Sequence, residues 1–75
     1  MPKLPVLSGH ELVKILKKVG FKEKRQKGSH IFMEKFIGGE RKGLVVPNHK
    51  EVDKGTLVEI IRQAGLKREE FFKLL

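Results

Sequence analysis

The 75-residue sequence predicts an α+β domain of order α-β-β-β-α. Its three-stranded antiparallel sheet is covered on one face by two helices, and a short helix follows at the C-terminus. Three observations lead there. A segment near each end of the chain carries apolar residues at helical spacing. The stretch between them is rich in β-formers and punctuated by Gly28 and Gly38-Gly39. Those turns are too short for crossover connections, so successive strands must run antiparallel.

The first helix is expected over residues 9–19. Ser8 followed three residues later by Glu11 has the form of a capping box, in which each side chain satisfies an amide at the helix start. Leu12, Val13, Ile15, Leu16 and Val19 form its apolar stripe, Lys14, Lys17 and Lys18 its basic outer side, and Gly20 ends it. Phe21–Lys27 then reads as a first strand, Ile31–Ile37 as a second and Leu44–Val46 as a third, stopped by Pro47, which cannot donate to a ladder. Both faces of the second strand offer apolar residues, so the pattern leaves open whether His30, Phe32 and Phe36 or Ile31, Met33 and Ile37 point inward. Asp53 is the expected N-cap of a second helix through about Ala64, with Leu57, Val58, Ile60 and Ile61 as its stripe. Residues 69–75 suit a last short helix in which Phe71 and Phe72 close the core. The whole of residues 1–75 reads as a single domain, with residues 1–7 as an N-terminal extension. The arrangement is the one used by double-stranded-RNA-binding domains, although a fold alone does not assign a function.

Composition narrows the partners. Seventeen Lys and Arg against nine Asp and Glu give a formal net charge of +8, and the excess is uneven. Residues 1–43 carry eleven basic and four acidic side chains, whereas residues 44–75 carry six and five. Lys14–Lys27 alone holds seven cations and one acid, Glu23. Such a field draws polyanions. No apolar run is long enough to span a bilayer, and Met1–Leu7 lacks the apolar core of a signal peptide, so no membrane role and a cytoplasmic location are expected. With no cysteine there is no disulfide framework and no thiolate zinc site.

Chemistry is confined to few residues. The acids are scattered in sequence, which disfavours a two-metal nuclease, and no phosphate-binding Gly-rich loop of the Walker type is present. No cofactor or metal is expected. Gly28-Ser29-His30 stands apart because it follows the densest basic stretch at the mouth of a hairpin. Glycine permits close backbone approach to a phosphate, Ser29 offers a hydroxyl, and an imidazole moves protons near neutral pH. RNA cleavage without metal needs a 2′-hydroxyl deprotonated, a 5′-oxygen protonated and charge on phosphorus neutralised. His30 can perform one transfer while Lys27 and neighbouring cations stabilise the oxyanions. The same tripeptide also fits a plain turn followed by an ordinary strand residue. His10 reads as a solvated residue of the first helical turn. His49, in the loop after the third strand, reads as a turn residue that can reach toward His30.

Leu12–Phe21 (LVKILKKVGF), Arg25–His30 (RQKGSH), Val46–His49 (VPNH) and Gly55–Phe71 (GTLVEIIRQAGLKREEF) together resemble the HicA, or YcfA-like, toxins. The likeness spans about residues 8–75 and rests on the order and spacing of these segments. It implies a ribosome-independent endoribonuclease, an mRNA interferase of a type II toxin–antitoxin system, with a double-stranded-RNA-binding-domain-like fold. It also implies His30 as the catalytic histidine, Gly28 as its matching glycine, and a HicB antitoxin that masks the site. Lys67 stands where such proteins often have a Ser or Thr cap, so the last helix is expected to be less well capped. The expected RNA contacts are Lys14, Lys17, Lys18, Lys22, Lys24, Arg25, Lys27, Gly28 and Ser29, with His49 as an accessory. The competing reading is a non-catalytic RNA-binding module using the same basic surface.

Overall fold

The computed structural model describes residues 3–75. Met1 and Pro2, the start of the expected N-terminal extension, lie outside the described residues. The chain forms α1 (Gly9–Lys18), β1 (Lys22–Lys27), β2 (His30–Ile37), β3 (Glu40–Pro47), α2 (Lys54–Gln63) and α3 (Arg68–Lys73). The sheet order is β1-β2-β3, both pairs antiparallel, as the turn lengths require.

The caps form as the sequence predicts. Ser8 Oγ accepts the Glu11 amide at 3.1 Å and the Glu11 carboxylate accepts the Ser8 amide at 3.0 Å, so two otherwise orphaned donors are satisfied. Asp53 Oδ2 accepts the Thr56 amide at 3.2 Å and starts α2. At α3 the Glu70 carboxylate accepts the Lys67 amide, but the Lys67 ammonium has no lone pair to return the bond. Only half of a capping box is made there.

The core settles which face of β2 is inside. Ile31 and Met33 are buried with Leu44 and Val46 of β3, and the apolar stripes of α1 and α2 close over them. His30, Phe32 and Phe36 therefore point to the opposite, outer face. Phe71 is fully buried, while Phe72 meets it edge-on from a half-exposed position. Two stripe residues depart from expectation. Val58 is exposed on the outer side of α2, and Val19 packs only partly against the core. The third strand is also longer than Leu44–Val46. The Gly38-Gly39 turn joins β2 to β3 with no slack, so pairing runs unbroken from Ile37–Glu40 to His30–Pro47. Pro47 occupies the final rung. The hairpin outruns the helices, which leaves Phe36 and Ile37 exposed near its tip.

One contact locks the helix layer to the sheet. Gly9, the first residue of α1, is buried, and its amide donates to the His49 carbonyl at 2.9 Å. A Cβ at position 9 would overlap the Pro47 carbonyl oxygen and sit 2.9 Å from Asn48 Cα. Both obstacles are backbone, so neither can swing aside. Gly9→Ala is expected to destabilise the protein by about 1–3 kcal/mol, the usual cost of overpacking, despite the better helix propensity of alanine. Urea unfolding of the two chains measures it.

Candidate functional site

The β1–β2 turn is Gly28-Ser29, with Lys27 and His30 as the last paired rung. Gly28 has φ 59°, the left-handed value that a two-residue hairpin turn can require of its first central position. His30 is thus the first residue of β2 and is exposed, on the outer face of the sheet. Lys27 and Pro47 flank it across the ladder.

A second segment is tied to this turn. The Asn48 amide donates to the Ser29 carbonyl at 2.6 Å, and the next residue's carbonyl receives Gly9. Residues 28–30, 47–49 and 8–10 therefore share one end of the molecule. All three histidines, His10, His30 and His49, lie in those segments, and all are exposed. The sequence paired His30 with His49 as a possibility but read His10 as mere surface. Only the tertiary tie through Gly9 brings its segment alongside, and nothing local to His10 signals that. The three imidazoles do not converge on one point: among the described residues no group of three or more His, Cys, Asp and Glu stands close enough to hold a metal ion.

The expected cationic contacts divide between two sides. Lys22, Arg25 and Lys27 lie on rungs shared with outer-face residues of β2, and Arg25 stacks 5.0 Å from the Phe32 ring centroid. Lys24 is the extra residue of a bulge between Glu23 and Arg25, and its ammonium comes 3.7 Å from Glu34. Lys14, Lys17 and Lys18 belong to α1, which covers the other face. Two of these have intramolecular partners: Lys17 is 3.6 Å from Glu23, and Lys18 donates to the Leu74 carbonyl at 2.9 Å. Positive charge thus wraps the β1 edge, with Lys27, Gly28 and Ser29 beside His30, Arg25 one outer-face rung away and Lys22 at the far end of the ladder. A groove of about 640 Å³ between β3 and α2, lined among others by Gly43, Leu44, Asp53, Thr56 and Ile60, includes no histidine.

Arg41 was not singled out from the sequence. Its guanidinium meets Glu34 at 2.6 Å on the outer face, a cross-strand pairing set by register rather than spacing. The Arg41 hydrogen bond holds the Glu34 carboxyl below the usual glutamate range. Partial desolvation opposes the shift, and the charges of Lys24 and Arg41 add to it.

The fold and its charge define a small, strongly basic α+β domain with an exposed imidazole at the head of a hairpin. Over residues 9–66 the sequence matches the protein family described as HicA toxin of bacterial toxin–antitoxin. The chain belongs to the HicA toxin family. It is the toxin of a toxin–antitoxin pair, and membership brings a nuclease kind of activity, RNA targets and a cognate antitoxin. Comparison with curated proteins gives no match. Among the described residues no helix is long and apolar enough to cross a membrane.

Because the folded-state pKa of Glu34 is lowered, its contribution to stability is full above the ordinary glutamate range. It is lost as pH falls through the lowered value. Glu34→Gln should therefore destabilise at neutral pH, and the difference from the parent should close toward strongly acid pH. Thermal unfolding across a pH series checks this.

Proposed function

We propose that this toxin is a metal-independent endoribonuclease, an mRNA interferase, in which His30 acts as general acid or base. The observation that carries the reading is the placement of His30, exposed at the first position of β2 beside Lys27 and the Gly28-Ser29 turn. In the reaction the 2′-oxygen loses its proton and attacks the adjacent phosphorus. The bond from phosphorus to the 5′-oxygen breaks, and the departing oxygen takes up a proton. The products are a 2′,3′-cyclic phosphate and a free 5′-hydroxyl.

One imidazole serves one of these transfers. His49, held near the same turn through Asn48, is the candidate for a phosphate contact or the complementary transfer. Lys27 and Arg25 offset charge on the phosphoryl oxygens, and the exposed Ser29 hydroxyl can donate to one of them. Lys14, Lys17, Lys18, Lys22 and Lys24 extend the cationic surface for more distant phosphates. No metal or cofactor takes part. The silencing partner is a HicB-type antitoxin that masks His30, and the site of action is the cytoplasm. Residues 1–75 act as one domain.

General acid–base catalysis is typically worth ~10²–10⁴-fold, and His30→Ala should lose that much cleavage while keeping its fold and RNA affinity. Incubation of purified RNA with parent and variant, resolved on a gel, gives the answer. An alanine variant that cleaves at the parent rate removes His30 from the chemistry. EDTA should leave the parent rate unchanged, and strong inhibition would point instead to a metal-dependent mechanism.

A further inference from the structure

The sheet face opposite the helices carries two rings on its central strand, Phe32 and Phe36, on either side of Glu34, has cations at its margins, and includes His30. Phe32 is half-buried beneath Arg25, Phe36 is 65% exposed and Val45 is 37% exposed. Lys22, Arg25 and Lys27 border them on β1, and Arg41 borders Phe36 on β3. The one acid among these rungs, Glu34, is held by Arg41 and Lys24. The face therefore presents rings and unneutralised cations together.

We propose that this face is a stacking platform for the bases of single-stranded RNA, with Phe32 and Phe36 as its flat surfaces. Arg25, Lys22 and Lys27 hold the phosphates alongside. The proposal rests on the reading of His30 as the reacting group. Phe32 follows His30 on the same face, roughly 7 Å along the strand, so an RNA strand that delivers a phosphate to His30 continues over Phe32. A duplex keeps its bases paired and stacked internally, and offers no ring face to a sheet. Splayed single-stranded bases do, and sheet aromatics read them by stacking. The chemistry agrees. Attack by the 2′-oxygen requires it to stand in line with the departing 5′-oxygen, and the A-form backbone holds it out of line. The cations and the shared rungs with His30 favour RNA over a protein occupant.

The test uses the full chain with Phe36→Ala and, because Phe32 is partly packed, Phe32→Leu. Thermal unfolding should show Phe36→Ala to be as stable as the parent. In the His30→Ala background, binding of a fluorescein-labelled unstructured oligoribonucleotide should weaken at least five-fold with each change. Stacking on an aromatic is typically worth ~1–3 kcal/mol per base. Binding of the same sequence in a duplex should not change. With His30 intact, KM should rise and kcat should hold, the pattern of lost uniform binding. Unchanged single-strand affinity and KM overturn the platform even if His30→Ala is inactive. Equal losses for duplex and single strand overturn it too, as does loss of antitoxin binding alone, which makes the patch a protein-docking surface. If the affinity losses appear but His30→Ala still cleaves, the platform stands and the catalytic assignment falls.

Discussion

The arrangement of the site depends on one close backbone approach. The Pro47–His49 segment leaves the end of β3 and passes directly against the first residue of α1, where any side chain would collide with it. That passage lets the Gly9 amide reach the His49 carbonyl while the Asn48 amide reaches Ser29. The two bonds fix the β1–β2 turn, the post-sheet loop and the helix start relative to one another. Each is a backbone group at an element end, where partners are otherwise hardest to supply. The histidines are held by this backbone, and none depends on a side-chain network for its place.

Charge works differently at the two sheet edges. β1 is exposed throughout and reads KEKRQK, a composition that discourages pairing with another chain's strand. The same residues attract polyanions. A basic β1 is therefore explained equally well by edge protection and by RNA binding, and its charge count decides nothing. What separates the two is geometry. Edge protection requires only that cations stand along β1. It does not require Arg25 over an aromatic ring, nor Lys27 on the same rung as an exposed imidazole.

Much of this was legible in the sequence, for reasons that differ by element. The helices and their caps were readable because capping is local: Ser8 and Glu11, or Asp53 and Thr56, interact within four residues. The strand order followed from turn length alone. The buried face of β2 was not readable, since His30-Phe32 and Ile31-Met33 are both compatible with burial. Only the stripes of α1 and α2, which choose Ile31 and Met33, resolve it. The extent of β3 was missed because Glu40–Gly43 has weak β-propensity and is held by pairing with β2 rather than by its own preference. Val58 was assigned to the core from helical spacing, but it lies just beyond the arc that faces the sheet. At the site, Gly28-Ser29-His30 was visible as a motif. The convergence of three histidine-bearing segments was not, because it depends on Gly9 as a space rather than as a chemical group.

The absence of a side chain at Gly9 and the exposure of rings at Phe32 and Phe36 bear on the same question from opposite ends of β2. At the His30 end the chain is held by backbone bonds, so the turn and the following loop have little freedom to adapt to a ligand. At the Phe36 end the hairpin extends past the helices and has only its cross-strand partner for support. If RNA binds along β2 as proposed, it meets a braced end, where proton transfer needs placement to a fraction of an ångström, and a less supported end, where stacking tolerates different bases. That gradient follows from how far α1 and α2 reach over the sheet. On the function proposed above, it puts the chemistry at the braced end and general affinity at the open one.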